Sequence, residues 1–143
     1  MLFRSGNLLD FAGYQQKEDL PVELSKAHIF AMPSHYEGGP GFVYLEAMAC
    51  GLPVIGCEGS GVAEIVSSGE NGILVPPKNT KALEEAIRKL LKDEKLLNDM
   101  GHNARKYAVN YADSNMCLEK LEQFYLSVVR QEEEKLVEEN IQF

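Results

Sequence analysis

Short, nearly unbroken apolar runs alternate along this chain with stretches whose apolar residues recur every three or four positions. His28-Ile29-Phe30-Ala31-Met32 (closed by Pro33), Leu52-Pro53-Val54-Ile55-Gly56 and Gly72-Ile73-Leu74-Val75 (closed by Pro76-Pro77) are runs of the first kind. They lack the alternation of a strand that is wet on one face and suit strands buried on both, as in parallel sheets. Leu8-Leu9-Asp10-Phe11-Ala12-Gly13 reads as a further short strand stopped by its glycine. Between the runs, Pro21 to Ala27 reads as a short helix with proline tolerated at its first position, and 43–50 and 61–68 read as helices. Strand–helix–strand alternation with short links implies right-handed βαβ units.

After Pro77 only helical patterns follow. Asn79 is an N-cap candidate, and Leu83, Ala86, Ile87, Leu90 and Leu91 share one helical face. Asp93 to Asn110 continues with Leu96, Leu97, Met100, Ala104 and Tyr107, and a stretch from Ser114 carries Leu118, Leu121, Tyr125 and Val128/Val129. The expected fold is α/β, a Rossmann-like parallel sheet of about four strands with helices on both faces and a C-terminal helical tail. Doubly wound sheets usually have about five or six strands, and no Gly-rich nucleotide loop precedes the first run, so a truncated sheet is expected, lacking an initial β-α-β-α piece. A complete four-stranded domain is the other reading.

The chain has 143 residues, 45% hydrophobic and 25% charged, which fits one globular domain rather than a disordered segment. No apolar run approaches the ~18 residues of a membrane span, and no signal peptide is expected from the first residues. Cys50, Cys57 and Cys117 make no paired pattern, which suits a cytoplasmic setting and argues against a thiolate metal site. The net charge of −8 makes a nucleic-acid backbone an unsuitable partner. It does not disfavour a small anion, which peptide N–H groups bind whatever the net charge. Glu132, Glu133, Glu134, Glu138 and Glu139 read as a solvated helical face.

Candidate chemistry concentrates between Pro33 and Gly51. The segment begins at the carboxyl end of a buried strand, where open α/β sheets place ligands. Gly38, Gly39 and Gly41 let the backbone approach a ligand closely, and a helix starting near Phe42 or Val43 aims its free N–H groups at whatever the loop holds. The same glycines equally serve to turn the chain. Glu37 precedes them and Glu46 lies in the first turns of the helix. A carboxylate accepts two hydrogen bonds side by side, matching vicinal hydroxyls of a sugar or ribose, although a glutamate near a helix N-terminus is also favoured by the dipole. Met32 and Met48 read as core, His28 as a packed histidine, and His35 lies in the loop.

The run PSHYEGGPGFVYLEAMACGLPVIGCEGSGVAEIVSSGENGILVPPKN closely resembles the C-terminal, donor-binding half of group 1 (family 4) retaining glycosyltransferases of the GT-B fold. Those enzymes carry PS-x-x-E-G-F-G-x-x-x-L-E-A-M-A-x-G-x-P-V-I, then G-G-x-x-E-I-V, then x-N-G-x-L-V-P, in that order. The resemblance spans about residues 8–126. It implies that residues 1–143 are a partial donor-binding domain, with the N-terminal acceptor domain absent. It implies that Glu46 binds the ribose hydroxyls, that catalytic Glu37 contacts the transferred sugar, and that Gly38, Gly39, Gly41, Phe42 and Val43 face the diphosphate and sugar. Tyr14 would contact the base. Eight residues separate Glu37 from Glu46, one more than in the family pattern. Ser60, Gly61 and Glu64 fall at the G-G-x-x-E segment with Ser60 replacing a glycine, and Glu64 reads as a supporting acid.

The implied activity is transfer of a sugar, with retention, from a nucleoside diphosphate sugar to an acceptor hydroxyl, without a metal or organic cofactor. The family's Arg and Lys from the start of this domain are missing, so the chain alone is expected to be inactive or weakly nucleotide-binding. A peripheral membrane location through the missing domain fits the resemblance. The alternative is a non-catalytic Rossmann-like module mediating protein association through an exposed sheet edge or the helical tail, with self-association expected.

Overall fold

β2 (Val54–Cys57) is the centre of the sheet because none of its side chains needs water; all four of its residues are buried. The computed structural model describes residues 10–35, 39 and 41–141, with the side chains of the last helix described as far as Gln131. On one side of β2 runs β1 (Phe30–Ala31), on the other β3 (Gly72–Val75), both parallel to it. Phe30 pairs with Val54 and Ile55 with Ile73. Sheet order follows chain order, as consecutive crossovers in one direction require.

Period-two alternation splits the core into two layers. Val54, Phe30 and Leu74 point toward α2 (Phe42–Ala49) and join Tyr44, Ala47 and Met48. Ile55, Ile73 and Val75 point the other way and join Ala86 and Leu90 of α3 (Thr80–Lys92). Helices therefore cover both faces, as expected. α4 (Glu94–Tyr111) contributes Met100 to the α3 layer and Ala104 and Ala108 to the α2 layer. Fully buried side chains such as Met48, Ile55, Leu90 and Met100 each stabilise by about 1.5–3 kcal/mol relative to exposure.

The helix starts follow local chemistry. Asn79 Oδ1 accepts from Ala82 N at 3.0 Å to open α3, and Asp93 Oδ1 accepts from Leu96 N at 2.9 Å to open α4. α1 (Leu20–Ser25) carries Pro21 in its first turn, as expected. α5 (Ser114–Ile141) is the helical tail. Its Leu118, Leu121, Tyr125, Val128 and Val129 are exposed, so the apolar spacing that predicts the helix is not buried by the rest of the chain.

Four expectations are corrected. The sheet of the described residues has three strands rather than about four: Asp10–Gly13 is not strand and Phe11 is exposed, while Leu8 and Leu9 lie outside the described residues. The 61–68 helix is a single 3₁₀ turn, Gly61–Glu64. Asn71 stops it, because its Nδ2 donates to Ile65 O at 3.0 Å and its Oδ1 accepts from Ser67 N at 2.8 Å, using groups a longer helix would need. β1 keeps only two residues of its apolar run, for among the described residues it pairs on one side only. His28 is exposed rather than packed, since it precedes the paired part of that run. Among the described residues no helix is long and apolar enough to cross a membrane.

Candidate functional site

β1 ends at the carboxyl edge of the sheet, and α2 is the next described element; Tyr44 ties the two together. Its ring is fully buried and meets Phe30 edge-on, with centroids 5.5 Å apart, and its hydroxyl donates to the carbonyl of Met32 just past β1. A buried phenol needs a partner, and this one is the first carbonyl beyond the ladder. Sequence reasoning passed Tyr44 over. Its signal was an amphipathic ring in the first turn of a helix otherwise apolar on its inner face.

α2 starts without a side-chain cap. Its N-cap is Gly41, at φ 69° and ψ 105°, a backbone conformation costly for any residue with a Cβ. The first turn carries no acidic side chain, and its earliest internal bond is Tyr44 N to Gly41 O at 3.0 Å. Among the described residues, the N–H groups of Phe42 and Val43 thus begin the helix with no side-chain acceptor, and Phe42 itself is 84% exposed. The positive end of the helix dipole lies here, at the carboxyl edge of a parallel sheet.

Gly39 comes against the 3₁₀ turn at Gly61, whose missing side chain makes room for it. The neighbouring Ser60 is buried and donates its hydroxyl to Cys57 O at 2.8 Å, so the serine in place of a glycine is fully used in holding the turn to β2. Glu64 is exposed on that turn.

Glu46 projects from α2 away from the sheet and is half-buried. It borders two cavities. One, of about 640 Å³, lies toward the α4–α5 joint with Phe42, Leu45, Tyr107 and Cys117 in its walls. The other, of about 510 Å³, lies between α1 and α2, with Lys17, Leu24 and Arg105. Arg105 also donates to Ala49 O, closing the C-terminal end of α2 with a positive charge. Tyr14 is 87% exposed and Gly39 and Gly41 line neither cavity, so the structure does not gather Tyr14, the glycines and Glu46 around one of these spaces. His35 is exposed in the loop. Glu37 and Gly38 lie outside the described residues. Met48 is fully buried and Met32 packs at the margin of the same layer, as their spacing predicts.

Residues 5–107 match the family of glycosyl transferases group 1. The capsular polysaccharide biosynthesis glycosyltransferase CapM of Staphylococcus aureus is 38% identical over 108 residues, covering 76% of this chain and 28% of that protein. Among solved structures, sucrose-phosphate synthase from Thermosynechococcus elongatus superposes with a TM-score of 0.80 at 33% identity, covering 88% of this chain and 31% of that one. Anabaena HepE, solved in complex with UDP-glucose, superposes with a TM-score of 0.77 at 26% identity over 85% of this chain and 33% of that one. The chain therefore spans about 30% of the length of the proteins it matches. The sheet with its two helical layers and the run of motifs agree with these likenesses, and the chain belongs to the group 1 glycosyltransferases.

Proposed function

We propose that this chain is the donor-binding part of a retaining glycosyltransferase that moves a sugar from a nucleoside diphosphate sugar to an acceptor hydroxyl. The observation that carries the reading is the uncapped start of α2 at the carboxyl edge of the sheet. Departure of the diphosphate builds negative charge, and fixed donors aimed at that charge are the main requirement for catalysis. The amides of Gly41, Phe42 and Val43 supply them, reinforced by the helix dipole. Glu46 grips the ribose hydroxyls through its two oxygens, Glu37 contacts the transferred sugar, and Gly38 and Gly39 admit the diphosphate. Tyr14 lies against the base. These steps use peptide amides and carboxylates, with neither metal nor organic cofactor. The acceptor belongs to an N-terminal domain outside this chain, so the chain alone binds nucleotide weakly and transfers little. The likeness to HepE, solved with UDP-glucose, supports a nucleotide-sugar as the donor.

Calorimetry with a panel of UDP-, GDP- and ADP-sugars tests the reading. One of them is expected to bind saturably, and Glu46→Ala to weaken it roughly ten- to hundredfold, the worth of hydrogen bonds to a charged group. No binding by any donor would retire it.

A second reading, association of this module with another copy of itself, is favoured by α5, where Leu118, Leu121, Phe124, Tyr125, Leu126, Val128 and Val129 are all exposed. Sedimentation over a concentration series separates the two: a monodisperse monomer at high concentration sets association aside.

A further inference from the structure

We infer that the apolar stripe of α5 is the seam of a two-fold dimer, in which α5 of a second copy of this chain lies antiparallel against it; the inference rests on the association reading above. α5 has 28 residues, about 42 Å of helix at ~1.5 Å per residue. Leu118, Leu121, Tyr125 and Val128 recur along it at steps of three, four and three, the seam spacing of paired helices. With Phe124 and Val129 beside them they share a stripe roughly 140° wide. A stripe of that width is the face a helix normally buries, yet Leu118 is 62% and Phe124 61% exposed. Glu119, Lys120, Gln123 and Arg130 occupy the other side.

The seam reads the same from either end. Leu118 and Val128 are equidistant from position 123, and so are Leu121 and Tyr125. A second copy turned end for end therefore puts Leu118 opposite Val128 and Leu121 opposite Tyr125, and each pair recurs across the axis. That is the self-complementarity a two-fold interface requires. Six stripe side chains with roughly 100 Å² exposed on each give about 1,200 Å² for two copies, the lower bound of a stable interface at ~1,200–2,000 Å². Charge selects the direction. Residues 132–139 contain five glutamates and one lysine, and a parallel pair would lay the two acidic segments side by side. In the antiparallel pair, position 135 falls opposite position 111 of the second copy. The two acidic segments are then about 36 Å apart, well beyond the screening length of ~8–10 Å. There is also room. Ser114 and Cys117, on the same side of α5 as Leu118 and Leu121, line the cavity of about 640 Å³ at the α4–α5 joint. A second α5 running on past Val128 meets this hollow rather than the body of the domain.

The test uses the 143-residue chain and has two arms. In sedimentation over a concentration series, the wild-type chain is expected to form a dimer. Leu121→Glu places an unpaired charge in the middle of the seam and is expected to raise the dissociation constant about a hundredfold or more. The amide signals of Val54–Cys57 are expected to keep their positions in that variant, because Leu121 is exposed and outside the core. The second arm needs no disruptive substitution. In a Cys117→Ser background, chains carrying Leu118→Cys are mixed with chains carrying Val128→Cys and mildly oxidised. Mass spectrometry is expected to find a disulfide joining position 118 of one copy to position 128 of the other. Either chain alone is expected to stay unlinked, since its two thiols are about 15 Å apart along the pair, outside the ~7 Å that a disulfide spans.

A wild-type monomer throughout the series would overturn the inference together with the association reading, and would leave the stripe to a different protein. A dimer that Leu121→Glu does not loosen, or one that links position 118 to position 118, would overturn the antiparallel seam alone and leave the association reading in place.

Discussion

α2 and α3 leave the sheet by equivalent routes, α2 after β1 and α3 after β3, and pack on opposite faces, yet their first turns are finished differently. α3 begins with Asn79, whose side chain takes up the Ala82 amide, and continues with an Arg88–Glu84 ion pair on its outer face. α2 begins with Gly41 in a left-handed conformation, has no side-chain cap, and depends on a buried tyrosine to bind it to the sheet. The first start is closed by its own N-cap side chain, whereas the second has no such side-chain acceptor among the described residues.

The largest effect expected from breaking this contrast is at Tyr44. Tyr44→Ala empties a fully buried site and should lower unfolding free energy by about 3–5 kcal/mol in urea melts, with Tyr44→Phe losing only about 1 kcal/mol because the ring stays. Next, Asn79→Ala should cost about 1 kcal/mol in the same melts. It should leave nucleotide-sugar titrations unchanged, whereas any loss of binding would mean that the α3 start is not purely structural. Smallest is Arg88→Ala on the exposed face of α3, expected to cost roughly 0.3–0.5 kcal/mol and to fade in high salt.

Much of this architecture is legible in the amino-acid order because the strand runs are unbroken apolar stretches, although only β2 is buried throughout. Val54–Cys57 and Gly72–Val75 have no polar position to confuse the pattern, and Leu83, Ala86, Ile87 and Leu90 mark one face of α3. The 61–68 segment misleads for a physical reason. Val62, Ile65 and Val66 have helical spacing, but the side chain that ends the turn, Asn71, lies beyond the segment and acts by competing for its backbone groups. The glycines and glutamates of the loop stand out as residue types. The pairing of Gly39 with Gly61 does not, because it joins positions that only the β1–β2 crossover brings together. Tyr44 was hidden similarly, its hydroxyl satisfied by a carbonyl twelve residues back in the chain.

α4 places Met100 in one core layer and Ala104 and Ala108 in the other. One continuous rod thus braces both sides of the sheet. Loosening either side drags on the same beam, so damage beside α3 is felt at the support behind α2, and the platform under the loop should give way in a single melting step rather than peel off by halves.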